Sequence, residues 1–327
     1  MTDELRDGYD VVVVGGGSAG LNGALVLARA RRTVLVVDAG QPRNAPAAGV
    51  HGLLGHEGVP PAELLTRGRE EVRRYGGHVV AGEVTAAAGT DDRFVVELAD
   101  GRRTTARRLL VTTGLSDVLP DVPGLAEHWG HEVLHCPYCH GWEVRDQAVA
   151  VLGSGPMSVH QALLFRQWTA DLTYVSHTVP PTEEQAEQLA ARGVRIVRGE
   201  AVGLEVDGRG RVSLRLVGGP TVEAQAVVVA SRMVARTGFL ASLGLRAVEH
   251  PGGVGEHLAA DASGRSDVPG VWVAGNVTDL SAQVGAAASS GAWAAAQINA
   301  DLVTEETREA VEAHRSRLLV GGGSRDG

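Results

Sequence analysis

Asp10-Val11-Val12-Val13-Val14-Gly15-Gly16-Gly17-Ser18-Ala19-Gly20-Leu21 decides the fold class of this 327-residue chain. Residues 10–14 form an apolar, β-branched run, the pattern of a strand buried in a parallel sheet. Gly15-x-Gly17-x-x-Gly20 then makes a tight turn, 21–30 reads as a helix and 33–37 as the next strand. That is one βαβ unit. The glycines let the backbone turn sharply and approach a pyrophosphate, while the helix start supplies N–H donors and a partial positive charge. Asp38 ends the second strand, close to the spacing of a ribose-binding acid. It suits the free ribose hydroxyls of FAD or NAD and would repel the extra phosphate of NADP. Three glycines alone can be packing residues; strand, helix and acid in register point to a dinucleotide.

Working outward, the plan recurs. A strand over 148–152 leads into Gly153-Ser154-Gly155, a helix over 157–167 and a strand over 172–176. Further strands at 195–197, 202–206, 212–217 and 226–230 complete this unit. Between the two, 41–61 is rich in Pro, Gly, Asn and His and reads as a long ordered loop over a site. A helix over 63–75, strands at 93–98 and 102–105, and a strand over 109–113 closed by Gly114 follow. Pro120 and Pro123 mark a boundary. Later, a strand over 271–274 ends in Gly275-Asn276, and 284–299 is a helix of small residues. A last helix is expected to begin with Thr304 as its cap and reach 319, with 321–327 as a disordered tail. The expected fold is α/β, with two Rossmann-like (three-layer ββα) nucleotide-binding domains, the second inserted into the first. The expected boundaries are 1–117, 118–244, 245–305 and 306–327.

Composition excludes several classes. Net charge is −9, from 30 basic against 39 acidic residues, which disfavours a nucleic-acid partner. Every basic residue is arginine, so Schiff-base chemistry and the lysine-dependent phosphate loop are ruled out. No apolar stretch is long enough to span a bilayer, and the first strand follows Met1 too closely for a signal peptide. A cytoplasmic protein without a membrane partner is expected.

The chain has two cysteines, both in His135-Cys136-Pro137-Tyr138-Cys139-His140-Gly141-Trp142-Glu143. They form a redox pair, half a metal site, or neither. In a Cys-x-x-Cys run the thiols usually meet at a helix start, which lowers a thiol pKa from about 8.5 toward 7. Pro137 suits the first turn. A thiolate is required both to attack a disulfide and to pass electrons to a flavin. His140, with an ordinary pKa of about 6.5, suits a base that moves a thiol proton; it also reads as a packing residue. His135, His51 and His56 are open between the same two roles. Zinc held by His135, Cys136, Cys139 and His140 would crowd four ligands into six positions without a partner half-site, so no metal is expected.

The ordered set of motifs resembles the low-molecular-weight thioredoxin reductase family of flavoproteins, over roughly residues 8–303. It comprises the first glycine turn, Thr112-Thr113-Gly114, the Cys-x-x-Cys with its Gly141, the second glycine turn and Val268-Pro269-Gly270-Val271-Trp272-Val273-Ala274-Gly275-Asn276. The resemblance implies a homodimer and FAD. The implied FAD contacts are Gly15, Gly17, Ser18, Ala19, Gly20, Asp38, Ala39, Arg43, Asn44, Val84, Thr113, Gly114, Gly275, Asn276, Gln283 and Val284. It implies that Cys139 faces the flavin and Cys136 exchanges with substrate. His140 falls where the family typically has an acidic proton donor. Asn276 stands where a Gly-Asp pair normally meets the flavin ribityl and phosphates, and it removes a charge there.

Two departures point the same way. Where NADPH-dependent members carry an arginine pair, this chain reads Val175-Ser176-His177-Thr178-Val179-Pro180-Pro181, with no guanidinium for the phosphate. The second turn, Gly153-x-Gly155-x-x-Ser158, also encloses Pro156 and Met157, which makes NADPH doubtful. The run Cys-Pro-Tyr-Cys-His-Gly-Trp-Glu resembles the dithiol oxidases of disulfide natural products, the gliotoxin and holomycin type. That resemblance implies a small-molecule or peptide dithiol closed to a disulfide, with electrons passing through the cysteines to FAD and then to oxygen. The alternatives are an NADPH-dependent thioredoxin-disulfide reductase and a flavin-binding redox sensor.

Overall fold

The computed structural model describes residues 4–90 and 93–322. Its largest sheet runs in the order His78–Ala81, Val34–Asp38, Gly8–Val14, Arg103–Val111, Phe94–Leu98, Val84–Gly89. Gly8–Val14 is parallel to both neighbours, and its valines at 11, 12 and 13 are fully buried. Helix α1 (Ser18–Arg29) follows the first turn, and α2 (Pro61–Arg74) follows the long loop.

The segments at 102–105 and 109–113 are one strand, Arg103–Val111, which corrects the expectation of two. Its first half pairs antiparallel with Phe94–Leu98 and its second half parallel with Val271–Val273. The pattern therefore changes within one element, half-exposed at Arg103–Thr105 and continuously buried at Leu109–Val111.

From that sheet the chain leaves along Leu115–Val118 and comes back along Arg232–Ala235, and these two strands pair antiparallel. Between them lies a second parallel sheet, Arg195–Val197, Leu172–Val175, Val149–Leu152, Ala226–Val229 and Val133–Leu134. It carries the short helix α3 (Pro137–His140), then α4 (Ser158–Phe165) and α5 (Glu183–Ala191). A three-stranded antiparallel sheet, Ala201–Val206, Val212–Leu216 and Thr221–Ala224, covers one side. Its Leu204, Val212 and Leu214 share a core with Ala150, Leu152 and Val227 of the parallel sheet. The architecture is α/β with two Rossmann-like units, as the two glycine turns predict.

The C-terminal helix departs from expectation. Val284–Gly322 is one 39-residue helix, α6, with no new start at Thr304. The Thr304 hydroxyl donates to the Ala300 carbonyl four residues back, so the residue is interior and caps nothing. The helix is anchored midway, where Arg107 and Arg108 bind Asp301, Glu305 and Glu306. Of the expected tail, Gly321 and Gly322 continue the helix and 323–327 lie outside the described residues. No helix among the described residues is long and apolar enough to cross a membrane.

Candidate active site

The first turn is tight because only glycine fits it. Gly15 has a φ of 110°, and a Cβ there would lie 2.4 Å from the Thr112 carbonyl oxygen. Thr112 Oγ1 donates to the Val14 and Gly15 carbonyls at 3.0 and 2.9 Å, binding turn to sheet. A Cβ at Gly20 would come within 1.9 Å of the Gly15 carbonyl oxygen, so Gly20 serves close helix–turn packing. Beside Gly17 a Cβ would meet nothing within 4 Å. The turn is thus closed at the back and open at the front.

That open front faces a cavity of about 1700 Å³. Every residue expected at the site lines it except Gly20. The starts of α1 and α6 border it through Ser18, Ala19, Val284 and Ala287. The space exceeds the ordinary small-ligand cleft of about 300–1,000 Å³. The open glycine turn, the helix start beside it and the acid at the strand end fit a dinucleotide.

Several side chains are engaged in ways the sequence did not reveal. Asp38 accepts the Gly40 N–H at 2.9 Å and pairs with Arg69 of α2 at 2.8 Å. Asn276 donates to the carbonyls of Asp279 and Ala282 at 3.0 and 2.9 Å, shaping the turn into α6. Thr113 Oγ1 donates to the Arg236 carbonyl at 2.7 Å. Arg43 borders the cavity, yet its guanidinium is committed to Asp117 at 2.7 Å. Asp117 also accepts from Ser231 at 2.7 Å, and the Ser231 hydroxyl lies 3.4 Å from His135 Nδ1. Burial alone would raise the Asp117 pKa; Arg43 and Ser231 outweigh it and hold the carboxyl below its ordinary range. Asp117, Ser231 and Arg69 escaped the sequence reading. The one available signal was a charge inside the short segment between Gly114 and Pro120.

The cysteine pair sits where the motif predicts. Cys136 is extended and immediately precedes α3, with Pro137 in its first turn. The two sulfurs stand 2.6 Å apart, Cys139 donating to Cys136. The sulfurs are placed close enough to join as a disulfide. The hydrogen bond from Cys139 brings the Cys136 thiol down to about 7 against the opposing effect of burial. Backbone N–H groups and the Arg43 charge add to it. Donating to Cys136, and burial, push Cys139 up. Cys136 is therefore the thiol that ionises first.

The histidines differ in their surroundings. His135 Nδ1 donates to the Val229 carbonyl at 3.1 Å, and burial lowers its pKa. Burial also lowers that of His140, whose Nδ1 is enclosed without a hydrogen-bond partner. His51 lines the cavity from the long loop. His56 has a buried Nδ1 without a partner, and it is not among the residues lining the cavity.

The second glycine turn is built differently from the first. Ser158, fully buried, accepts the N–H groups of both Ser154 and Gly155 at 3.1 Å. The following strand ends at Val175, and His177 in the turn after it has a φ of 38° and accepts the Ala201 N–H at its Nδ1. Thr178 and Val179 then fold back to hydrogen-bond the Gly153 carbonyl at 3.2 and 2.9 Å. The chain's own atoms thus hydrogen-bond this turn on both sides.

Comparison with known proteins agrees with this geometry. The family model described as pyridine nucleotide-disulphide oxidoreductase matches residues 9–296. Thioredoxin reductase tcpT of Claviceps purpurea (strain 20.1) is 32% identical over 310 residues, covering 90% of this chain and 95% of that protein. Thioredoxin reductase sirT of Leptosphaeria maculans is 37% identical over 148 residues, 44% of this chain and 45% of its own. The crystal structure of HlmI superposes with a TM-score of 0.88 at 44% identity, covering 96% of this chain and 98% of the other. With its paired cysteines, two glycine turns and this likeness along its length, the chain belongs to the pyridine nucleotide-disulphide oxidoreductase family and within it is thioredoxin reductase-like.

Proposed function

We propose that this protein is an FAD-dependent dithiol oxidase that closes a small-molecule or peptide dithiol to a disulfide. The carrying observation is the contrast between the two glycine turns. Both border the cavity that contains the cysteine pair, and the first leaves its front open at Gly17. At the other, Ser158 occupies the N–H donors, and no arginine follows the strand Leu172–Val175 before Pro181. Exposed Tyr138, between the cysteines, and Trp142, three residues beyond them, offer an apolar approach for an organic substrate.

FAD, when bound, would accept the electron pair from the reduced cysteines and pass it to oxygen. Gly15, Gly17, Ser18 and Ala19 would hold its phosphates, and Asp38 its ribose. The chain's own part is thiol–disulfide exchange. A substrate thiolate attacks Cys136, Cys139 leaves, and the second substrate thiol displaces Cys136. The low pKa of Cys136 favours that second departure, because a more acidic thiol leaves faster.

Anaerobic mixing tests the reading. Excess dithiol should bleach the flavin and NADPH should not. Bleaching by NADPH with none by dithiols would overturn it. The names of the thioredoxin reductase relatives favour a second reading, an NADPH-dependent disulfide reductase. Turnover of a thioredoxin with NADPH would establish that instead.

A further inference from the structure

The long loop carries a second proton-handling group that the cysteine motif does not contain. Residues 50–59 close into a clasp, in which the Val50 N–H donates to Val59 and the Gly58 N–H to Val50, each at 2.8 Å. Inside it His51 Nδ1 lies 2.6 Å from Glu57 Oε1, and the Gly52 N–H donates to Glu57 Oε2 at 2.9 Å. A carboxylate only accepts, so Nδ1 is the nitrogen that donates to Glu57, and Nε2 is the one left to face the site. His51 Nε2 lies 3.6 Å from Glu143 Oε1, beyond a hydrogen bond. Glu143 stands four residues after Cys139, so the ring is brought to the segment that follows the cysteine helix, and His51 lines the cavity with Cys136, Cys139 and His140. The ionisable groups recorded against it are Glu57 on its own loop and Glu143 and His140 on the facing segment, with the two cysteines lining the same cavity. His140 has its Nδ1 enclosed without a partner, so that nitrogen hands no proton along a hydrogen bond. Glu57 is 65% exposed and opens to water.

We propose that His51, oriented by Glu57, is the base that takes the thiol protons from the dithiol, passing the first to Cys139 and the second to solvent. This rests on the dithiol oxidase reading. The first substrate S–H gives its proton to His51 Nε2. Its sulfur bonds to Cys136 as the Cys136–Cys139 bond breaks, and the electron pair leaves on Cys139. His51 passes this proton to Cys139, which becomes the thiol that donates to Cys136. The second substrate thiol then loses its proton to Nε2, its sulfur bonds to the first, and the pair leaves on Cys136 as thiolate. The substrate loses two electrons, the cysteine pair gains two, and one proton goes to water past Glu57. His51 is the catalytic group here and Glu57 its positioning residue.

The test compares two reductants on the oxidised, FAD-loaded protein without oxygen. Dithiothreitol must lose thiol protons; a water-soluble phosphine has none to lose. Free cysteines are trapped by alkylation at timed intervals and counted by mass. His51→Ala should slow reduction by dithiothreitol at pH 7 about 100-fold, within the range of general-base catalysis, and leave the phosphine rate unchanged. The defect should vanish above pH ~9, where a thiol of pKa about 8.5 ionises unaided. Glu57→Gln should give a smaller defect with the same pH convergence. Equal slowing with both reductants, a defect that persists at high pH, or no defect would overturn the proposal. A wild-type protein that takes electrons from no dithiol overturns the oxidase reading and this inference with it. A reactive wild type with an unaffected His51→Ala variant overturns the inference alone.

Discussion

Arg43 grips Asp117 as a fork, Nε to Oδ2 and Nη2 to Oδ1, each at 2.7 Å. The pair joins the long loop to Leu115–Val118, the strand by which the chain leaves the first sheet. Ser231 extends it to the return strand, and Arg236 donates to the Gln41 carbonyl at 3.1 Å. Both crossings between the two units are thus tied to one loop. Arg43→Gln should strand the Asp117 carboxylate, whose side chain is 5% exposed. The expected loss is about 2–3 kcal/mol, below that of a fully buried pair because Arg43 is partly solvated. Urea unfolding at pH 7 measures it. Asp117 is held low in the folded state, so its stabilisation is present above the unfolded carboxyl pKa and is lost as pH falls through the folded value. The variant's deficit should shrink in strong acid.

The cysteines should titrate apart. In the reduced protein, alkylation of Cys136 should rise with a midpoint near the pKa of about 7. Cys139 should stay protected until far higher pH. Removing the donor in Cys139→Ala should move the Cys136 midpoint upward. With FAD bound, Cys136→Ser should show a long-wavelength absorbance shoulder and Cys139→Ser should not. The opposite pattern would exchange the roles of the two sulfurs.

Helices α1 and α6 cross at Gly291. A Cβ there would lie 1.9 Å from the Ala19 carbonyl oxygen, a backbone atom that cannot swing aside. Gly291→Ala should cost about 1–3 kcal/mol through overpacking. Ala19 also lines the cavity, so flavin should be released more readily. Thermal unfolding and flavin fluorescence on warming report the two effects separately.

Acid should loosen the middle of α6. Hydrogen bonds from Arg32 and Arg107 pull the Glu306 pKa from 4.5 to about 2. A depressed carboxyl contributes stability that is complete above pH ~4.5 and fades as pH falls toward 2. Glu306 is 40% exposed, so screening limits its share to about 1 kcal/mol or less. Glu306→Gln should lower stability slightly at pH 7 and match wild type at pH 2, as followed by helix circular dichroism during unfolding.

How far the chain alone could be read depended on the range of each interaction. The two βαβ units, the first glycine turn and the redox pair were legible, because each is set by neighbours within a few residues. Val11–Val14 must be buried on both faces, Gly15 must take a positive φ, and Cys136 must precede a helix that Pro137 starts. The strand Arg103–Val111 was split in two because its halves meet different partners. Thr304 looked like a cap because salt bridges from Arg107 and Arg108, 198 and 197 residues from Glu305, hold the helix together there.

What local order determined, then, was the pair of nucleotide folds and a dithiol capable of redox chemistry. Only tertiary structure decided that Arg43 serves Asp117, that Ser231 joins that pair, and that His51 comes beside Glu143. Each depends on a hydroxyl or a charge meeting a partner across a fold, and the strength of that meeting comes from distance and burial, which residue order does not carry.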